Sequence, residues 1–388
     1  MHISYLDNNS TTQVLPEVLE EMLPCFTESF GNPSSIHGCG RRALAVMKLA
    51  RERVAALLEC LPTEVVFTSG GTEGDNLALR GMMSPGDHII VSAIEHSAVL
   101  GACRWLEHAG CEVTRVGVNG NGQVEPDSVR RALRPNTRLI SVMMANNETG
   151  VLQPVEEIGR IASEADVWFH TDAVQAAGKV PISVKAIGSD LLTISAHKIH
   201  GPQGVGALFV RRGTPLRPQL HGGHQERSRR PGTENVAGIA GLGKACGIAC
   251  EGFADGSVER MGALRDELEA AIVSLVAETR INGRQAARVP NTTNILFEHT
   301  GGDALVLALD EHGIEASRGS ACTAGESDPS NVLMAMGLSG EQSRSSLRFS
   351  LGKLNTVSDI ERVVSVLPAA VRGLREKSRF IWATAEAT

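Results

Sequence analysis

The stretch E-V-V-F-T-S-G-G-T-E-G-D-N at 64–76 runs from a short β-branched segment through two glycines into the polar start of a helix. The same grammar repeats to about residue 210. Further apolar runs end in polar turns: H-I-I-V-S at 88–92, L-I-S-V-M-M at 139–144, V-W-F-H-T-D at 167–172, D-L-L-T-I-S at 190–195 and V-G-A-L-F-V at 205–210. Most lack strict alternation, as expected of strands covered on both faces of a largely parallel sheet. Helical patterns lie between them, at 97–109 and, behind Pro154, at 155–165. Strands alternating with helices predict an α/β fold with a large, doubly wound, mostly parallel sheet.

After about Gly252 the texture changes. An amphipathic helix pattern fills 261–278, a strand-like N-I-L-F follows at 294–297, and a helix is expected at 302–312. A Gly/Ser-rich loop at 317–330 and a closing helix near 358–376 complete a smaller α+β domain, whose boundary falls near 251–256. The length of 388 residues suits such a division.

Composition narrows the class. Net charge is −7 with no long run of either sign, and aromatics make up 3% of the chain. That is neither the basic footprint of a nucleic-acid binder nor a base-stacking platform. The eight cysteines form no framework spacing and no C-x2-C pair, which suits free thiols in a reducing compartment. The start M-H-I-S-Y-L-D-N-N-S lacks the basic and apolar regions of a signal peptide. No apolar run approaches the roughly 20 residues of a spanning helix. The expectation is a soluble, cytoplasmic α/β enzyme with neither nucleic acid nor membrane as partner.

In parallel α/β sheets, ligands lie beyond the carboxyl ends of the strands, so the residues after each strand carry the chemistry. T-S-G-G-T-E-G-D-N at 68–76 offers unpaired backbone N–H groups at a helix start, with Thr72 adding a hydroxyl. It reads either as a phosphate cup or as an ordinary glycine turn. His96 in I-E-H-S-A follows a strand and precedes a helix, a position equally suited to a helix cap. A-N-N-E-T-G at 145–150 sits at another strand end, and F-H-T-D-A-V-Q places Asp172 at a carboxyl end with Gln175 one turn on. A carboxylate aimed into a cleft needs a cationic partner. S-A-H-K-I-H-G-P-Q-G at 195–204 puts Lys198 where a buried strand opens, and a desolvated lysine there is a Schiff-base nucleophile. Anion cup, acidic strand end and strand-end lysine together describe a pyridoxal-phosphate pocket. The H-x2-H and C-x3-C spacings of His197, His200, His221, His224, Cys246 and Cys250 make no zinc signature, so no metal is expected. Cys322, in the small-residue loop G-S-A-C-T-A-G at 319–325, stands apart from seven cysteines in apolar or helical settings and suits a thiol that meets substrate.

These residues carry a resemblance. Y-L-D-N-N-S-T-T at 5–12, F-G-N-P-S-S-I-H at 30–37, H-G-G-H-Q-E-R at 221–227, R-P-G-T-E-N-V-A at 230–237 and S-L-R-F-S-L-G at 346–352 resemble, in order and spacing, the cysteine desulfurases of the class V aminotransferase family. The nitrogen-fixation type is the nearest. The resemblance implies a fold-type-I pyridoxal-phosphate transferase acting as a homodimer. Its large cofactor-binding domain would span 13–255; 1–12 and 256–388 would form a small domain carrying the catalytic cysteine loop. It assigns Lys198 to the cofactor imine, Asp172 to the pyridine nitrogen, and His96 to the ring face. Asn147 and Gln175 bond the ring substituents, including the phenolic oxygen. Gly71, Thr72, Ser195 and His197 hold the phosphate, and Thr233 reaches it from the neighbouring subunit. Arg348 clamps the substrate carboxylate, assisted by Asn32. The implied reaction uses Lys198 as general base and Cys322 as the nucleophile that takes sulfur from L-cysteine. It leaves alanine and a persulfide, destined for a sulfur-acceptor scaffold or carrier in iron–sulfur cluster assembly or other sulfur transfer. A selenocysteine lyase, or another small-amino-acid enzyme with the same cofactor, would share all of this except dependence on Cys322. Four positions depart from the family pattern: Ser10, Gly74, Gln203 and Arg318.

Overall fold

Two-residue alternation within otherwise apolar strands divides the core of the large sheet between its faces. The computed structural model describes residues 3–319 and 328–385, with side chains to 377. Twelve strands are assigned among these residues: β1 (Ser4–Tyr5), β2 (Val65–Thr68), β3 (His88–Ser92), β4 (Glu112–Val116), β5 (Thr137–Ser141), β6 (Trp168–Asp172), β7 (Leu191–Ser195), β8 (Gly206–Val210), β9 (Thr279–Ile281), β10 (Thr292–Phe297), β11 (Ile314–Glu315) and β12 (Ser346–Ser350). Seven form one sheet in the order β2-β8-β7-β6-β5-β3-β4. Only β8 runs against the others. Val65, Phe67, Ile90, Leu192, Ile194, Ala207 and Phe209 enter one apolar cluster; Val66, Ile89, Val91, Leu191, Leu208 and Val210 enter another. Both faces are therefore covered, and the expected fold class is borne out.

The strand at the edge, β4, was absent from the sequence reading. It is half solvated, with Glu112 exposed, so it lacks the apolar run that marks its neighbours. The sequence reading also omitted the helix Gly38–Leu58, which buries Ala43, Met47, Ala50, Val54 and Leu57 along one face. It packs against the helix Val236–Gly252, where a Cβ on Gly243 would collide with the Ala50 Cα. Glycine there lets the two backbones touch. No single helix among the described residues is long and apolar enough to cross a membrane.

The second core lies under the antiparallel sheet β12-β10-β9. Leu268, Ile272, Ile295, Phe297, Leu347, Phe349, Val363 and Leu367 fill it, and Leu6 joins from the other end of the chain. Parallel pairing of β1 with β11 brings Leu6 there, and Asp7 bridges to Ser350. The N-terminal residues then run from this second core across to the mouth of the large sheet.

Candidate active site

A cleft of about 390 Å³ opens between the carboxyl ends of the large sheet and β12. Ten expected site residues line it: Gly71, Thr72, His96, Asn147, Asp172, Gln175, Ser195, His197, Lys198 and Arg348. Asn32 and Thr233 are exposed and do not line this chain's cleft. Asn32 caps its own turn, accepting from the Ser34 N–H at 2.9 Å. Cys322 lies outside the described residues.

Gly70, at φ +152°, turns β2 into the helix Gly71–Met82, whose first turn no side chain caps. Those N–H groups, with Thr72, face the cleft beside Ser195 Oγ, a buried hydroxyl with no hydrogen-bond partner among the described residues. Gly74 is required by local packing: a Cβ there would stand 2.6 Å from Thr193 Cγ2, so this departure from the family pattern matches its neighbour on β7.

Asp172, the last residue of β6, accepts the Val174 N–H at 2.8 Å. Burial pushes its carboxyl above the ordinary range, while His96 and Lys198 pull it back. A protonated ring nitrogen would add the cation this carboxyl needs to stay ionised. His96 is both a helix cap, its Nδ1 accepting the Ala98 N–H at 3.2 Å, and a cleft residue, so the two readings of this histidine hold together. Burial, helped by Lys198 and His96, pushes His197 down to about 4 and keeps it neutral; its Nδ1 lies 3.2 Å from Thr11 Oγ1. Lys198 leaves β7 through a single 3₁₀ turn, and its Nζ donates to the Asn9 and Ser10 carbonyls, each at 2.6 Å.

Arg348 reaches the cleft from the middle of β12 and is 2% exposed. Nη1 donates to the Asn147 and Gly319 carbonyls; Nη2 donates to Asp7 Oδ1 at 2.6 Å and Ser10 Oγ at 2.8 Å. Nε is buried, without a partner among the described residues. The expected carboxylate fork is thus already held by the protein, with one donor left. Ser10, another departure, takes part in that hold, as an alanine could not.

The structure adds residues that sequence reasoning missed. Asn9 and Ser10 supply the carbonyls under Lys198, and Asp75 lines the cleft floor. Burial first, then the nearness of Asp172, raises Asp75 well above the usual carboxyl range. Glu95 is raised by burial to about 8, although its Oε1 accepts from Ser92 Oγ and the Met143 N–H. The signal for both is faint, since acids early in a helix or beside a turn read as solvated residues. Arg318 pairs with Asp303 at 3.0 Å, and Gln203 donates to Thr11 Oγ1 at 3.3 Å. The seven described cysteines are unpaired, and burial pushes Cys60 and Cys103 to about 12. Among the described residues no three metal-ligating side chains converge.

The residues present fit pyridoxal phosphate. An uncapped helix start with the unpartnered Ser195 hydroxyl suits the phosphate, the buried Asp172 suits the ring nitrogen, and Lys198 supplies the amine.

Comparison with known proteins agrees. The family described as aminotransferase class-V matches residues 4–363. A cysteine desulfurase of Trichormus azollae is 48% identical over 98% of this chain and 96% of its own length. The cysteine desulfurase IscS of Methanosarcina thermophila is 48% identical over 96% and 93%. The crystal structure of a NifS-like protein from Rickettsia africae superimposes with a TM-score of 0.87 at 35% identity, over 95% of this chain and 99% of that one. The chain belongs to the class V aminotransferase family, among its NifS-like cysteine desulfurases, which use pyridoxal phosphate.

Proposed function

We propose that this cleft transfers sulfur from L-cysteine to Cys322, with residue roles as the resemblance assigns them. The observation that carries the reading is the convergence of Lys198, Asp172, Ser195 and Arg348 on one cleft. Bound pyridoxal phosphate supplies an electron sink for the pair left at the substrate Cα. Gly71, Thr72, Ser195 and His197 would hold its phosphate, Asp172 would keep its ring nitrogen protonated, His96 would cover the ring, and Asn147 and Gln175 would bond its substituents. Arg348 orients the substrate carboxylate. Its Nε, without a partner among the described residues, is open to the anion, and the Nη bonds to Ser10 and Gly319 are the ones to exchange. Lys198 Nζ removes the Cα proton as general base. The Cys322 thiolate attacks the substrate sulfur. The Cβ–S bond breaks as the S–S bond forms, its electron pair staying with the carbon skeleton. Cβ takes up a proton, balancing the one lost by the Cys322 thiol, Lys198 returns the other to Cα, and L-alanine leaves a persulfide on the enzyme.

The functional unit on this reading is a homodimer. Leu23, Phe26, Phe30 and Ile36 are exposed, the last by 91%, a stretch suited to burial against a second copy. Thr233 then serves the partner's phosphate site. The persulfide sulfur passes to a scaffold or carrier protein in the cytoplasm, for iron–sulfur cluster assembly or other sulfur transfer.

The test is the yield of alanine and sulfide from L-cysteine by the holoenzyme with a reductant. Both are expected in equal amounts, and both are expected to vanish in Cys322→Ala with the cofactor retained. Full activity in that variant would move the protein to the selenocysteine lyase reading. Mixing Lys198→Ala with Thr233→Ala subunits should restore one intact site per heterodimer; no recovery after verified exchange counts against shared sites.

A further inference from the structure

A second buried lysine lies behind the cleft, and nothing in the mechanism above uses it. Lys179 is 6% exposed, and its Nζ donates to Gln175 Oε1 at 2.7 Å and to Asn9 Oδ1 at 3.2 Å. Among the described residues no carboxylate pairs with it. Burial, reinforced by the charges of Lys198 and Arg348, drives its amine well below the ordinary lysine range, and in either protonation state Nζ keeps hydrogens to donate to both acceptors. The groups facing it are Lys198, Arg348 and His200.

Gln175 is therefore tied at both ends of its amide. Oε1 is taken by Lys179, and one Nε2 hydrogen goes to the Asn9 carbonyl at 2.9 Å. A reversed amide would set Oε1 against that carbonyl, acceptor to acceptor. The second Nε2 hydrogen is left to the cleft that Gln175 lines. Asn9 is held independently, through Asn291, Thr292 and the Asn147 carbonyl, so it stays in place without Lys179. Among the described residues Gln175 Oε1 has no such second anchor.

We propose that Lys179 is a positioning residue that fixes the amide of Gln175 so that it presents an N–H donor, not an acceptor, to the cofactor's phenolic oxygen. This rests on the role given to Gln175 above. A donor at that oxygen stabilises its anion, so loosening the donor raises the pH at which the bound cofactor's visible colour titrates.

The experiment is a spectrophotometric pH titration of the holoenzyme, independent of turnover, on Lys179→Met, Gln175→Ala and the double variant. Gln175→Ala alone tests the role of Gln175: an unshifted titration removes that reading. Given a shift there, Lys179→Met is expected to raise the titration by roughly half a unit to one unit, and to add nothing in the Gln175→Ala background. A parent-like titration in Lys179→Met, or an equal shift in both backgrounds, overturns the inference, the latter because the lysine would then act through space. Lys179→Gln keeps an N–H donor and should titrate like the parent. It decides the matter alone if Lys179→Met does not fold, because a shift in it sinks the donor argument.

Discussion

On the large sheet, Asp172 and Ser195 are the last residues of β6 and β7, and Lys198 follows one turn later. On the small sheet, Arg348 is the middle residue of β12. Parallel strands all finish on one edge, so their chemistry collects at their ends, beside the N-termini of the following helices. In the antiparallel sheet no edge is shared in this way, and a side chain reaches the cleft by the face it occupies. Leu347 and Phe349 point into the second core, while Arg348 and Ser350 take the opposite face, where Ser350 Oγ accepts the Asn9 N–H. On the function proposed above, the large sheet builds the floor for the cofactor, and the small sheet presents a grip for what lands on it.

Four measurements strain this division. Lys198→Ala removes the floor's reactive group: turnover should fall by at least about 10³-fold, and borohydride should no longer fix the cofactor to the chain, as read by mass spectrometry. Arg348→Lys keeps the charge and loses the fork. Its kcat/KM for L-cysteine should drop by roughly 10- to 100-fold, mostly through KM, with cofactor content unchanged. Loss of cofactor there would break the comparison, because the small sheet would then be part of the floor.

Glu95 gives a pH test of the floor. Its folded-state value of about 8 stands above the ordinary 4.5, so the native protein binds the extra proton between those values. Its contribution is complete below about pH 4.5 and is lost as pH rises toward 8. The melting temperature of the parent should therefore fall relative to Glu95→Gln between pH 5 and 8; parallel curves would show that this carboxyl ionises freely in the fold. The smallest effect belongs to the grip's periphery. Asp303 is 72% exposed where it pairs with Arg318, so Asp303→Ala should change stability by no more than about 0.5 kcal/mol in denaturant unfolding.

The same contrast explains what could be read in advance. Asp172, Lys198, Thr72 and His96 stand where apolar runs stop, so local pattern alone singles them out. Arg348 entered only through the family resemblance, since a charged residue inside S-L-R-F-S looks like the solvated face of an edge strand. Its burial comes from contacts more than 300 residues away, with Asp7 and Ser10. Lys179, in A-A-G-K-V, and Asn9, in D-N-N-S, read as a surface lysine and a turn. Asn9 acts partly through its backbone carbonyl, which no residue type encodes. The fold class survived because buried strands of a parallel sheet are apolar throughout, whereas β4 escaped notice because one edge of it is wet.

The pairing of β1 with β11 joins residues about 310 positions apart, and that has a consequence for the order of assembly at the ribosome. The strands of the large sheet have all been made once Val210 emerges, but Asn9 and Ser10 are tied into the cleft by Asn291, Thr292, Arg348 and Ser350. At about 5–20 residues per second, roughly 15–60 s separate the synthesis of Ser4 from that of its strand partner. During that interval the segment that holds Lys198 has only the anchors from the large sheet's side, Asn147, Gln175 and Lys179. A nascent protein halted before β12 would carry a completed sheet whose lysine cradle lacks the anchors of Arg348 and Ser350.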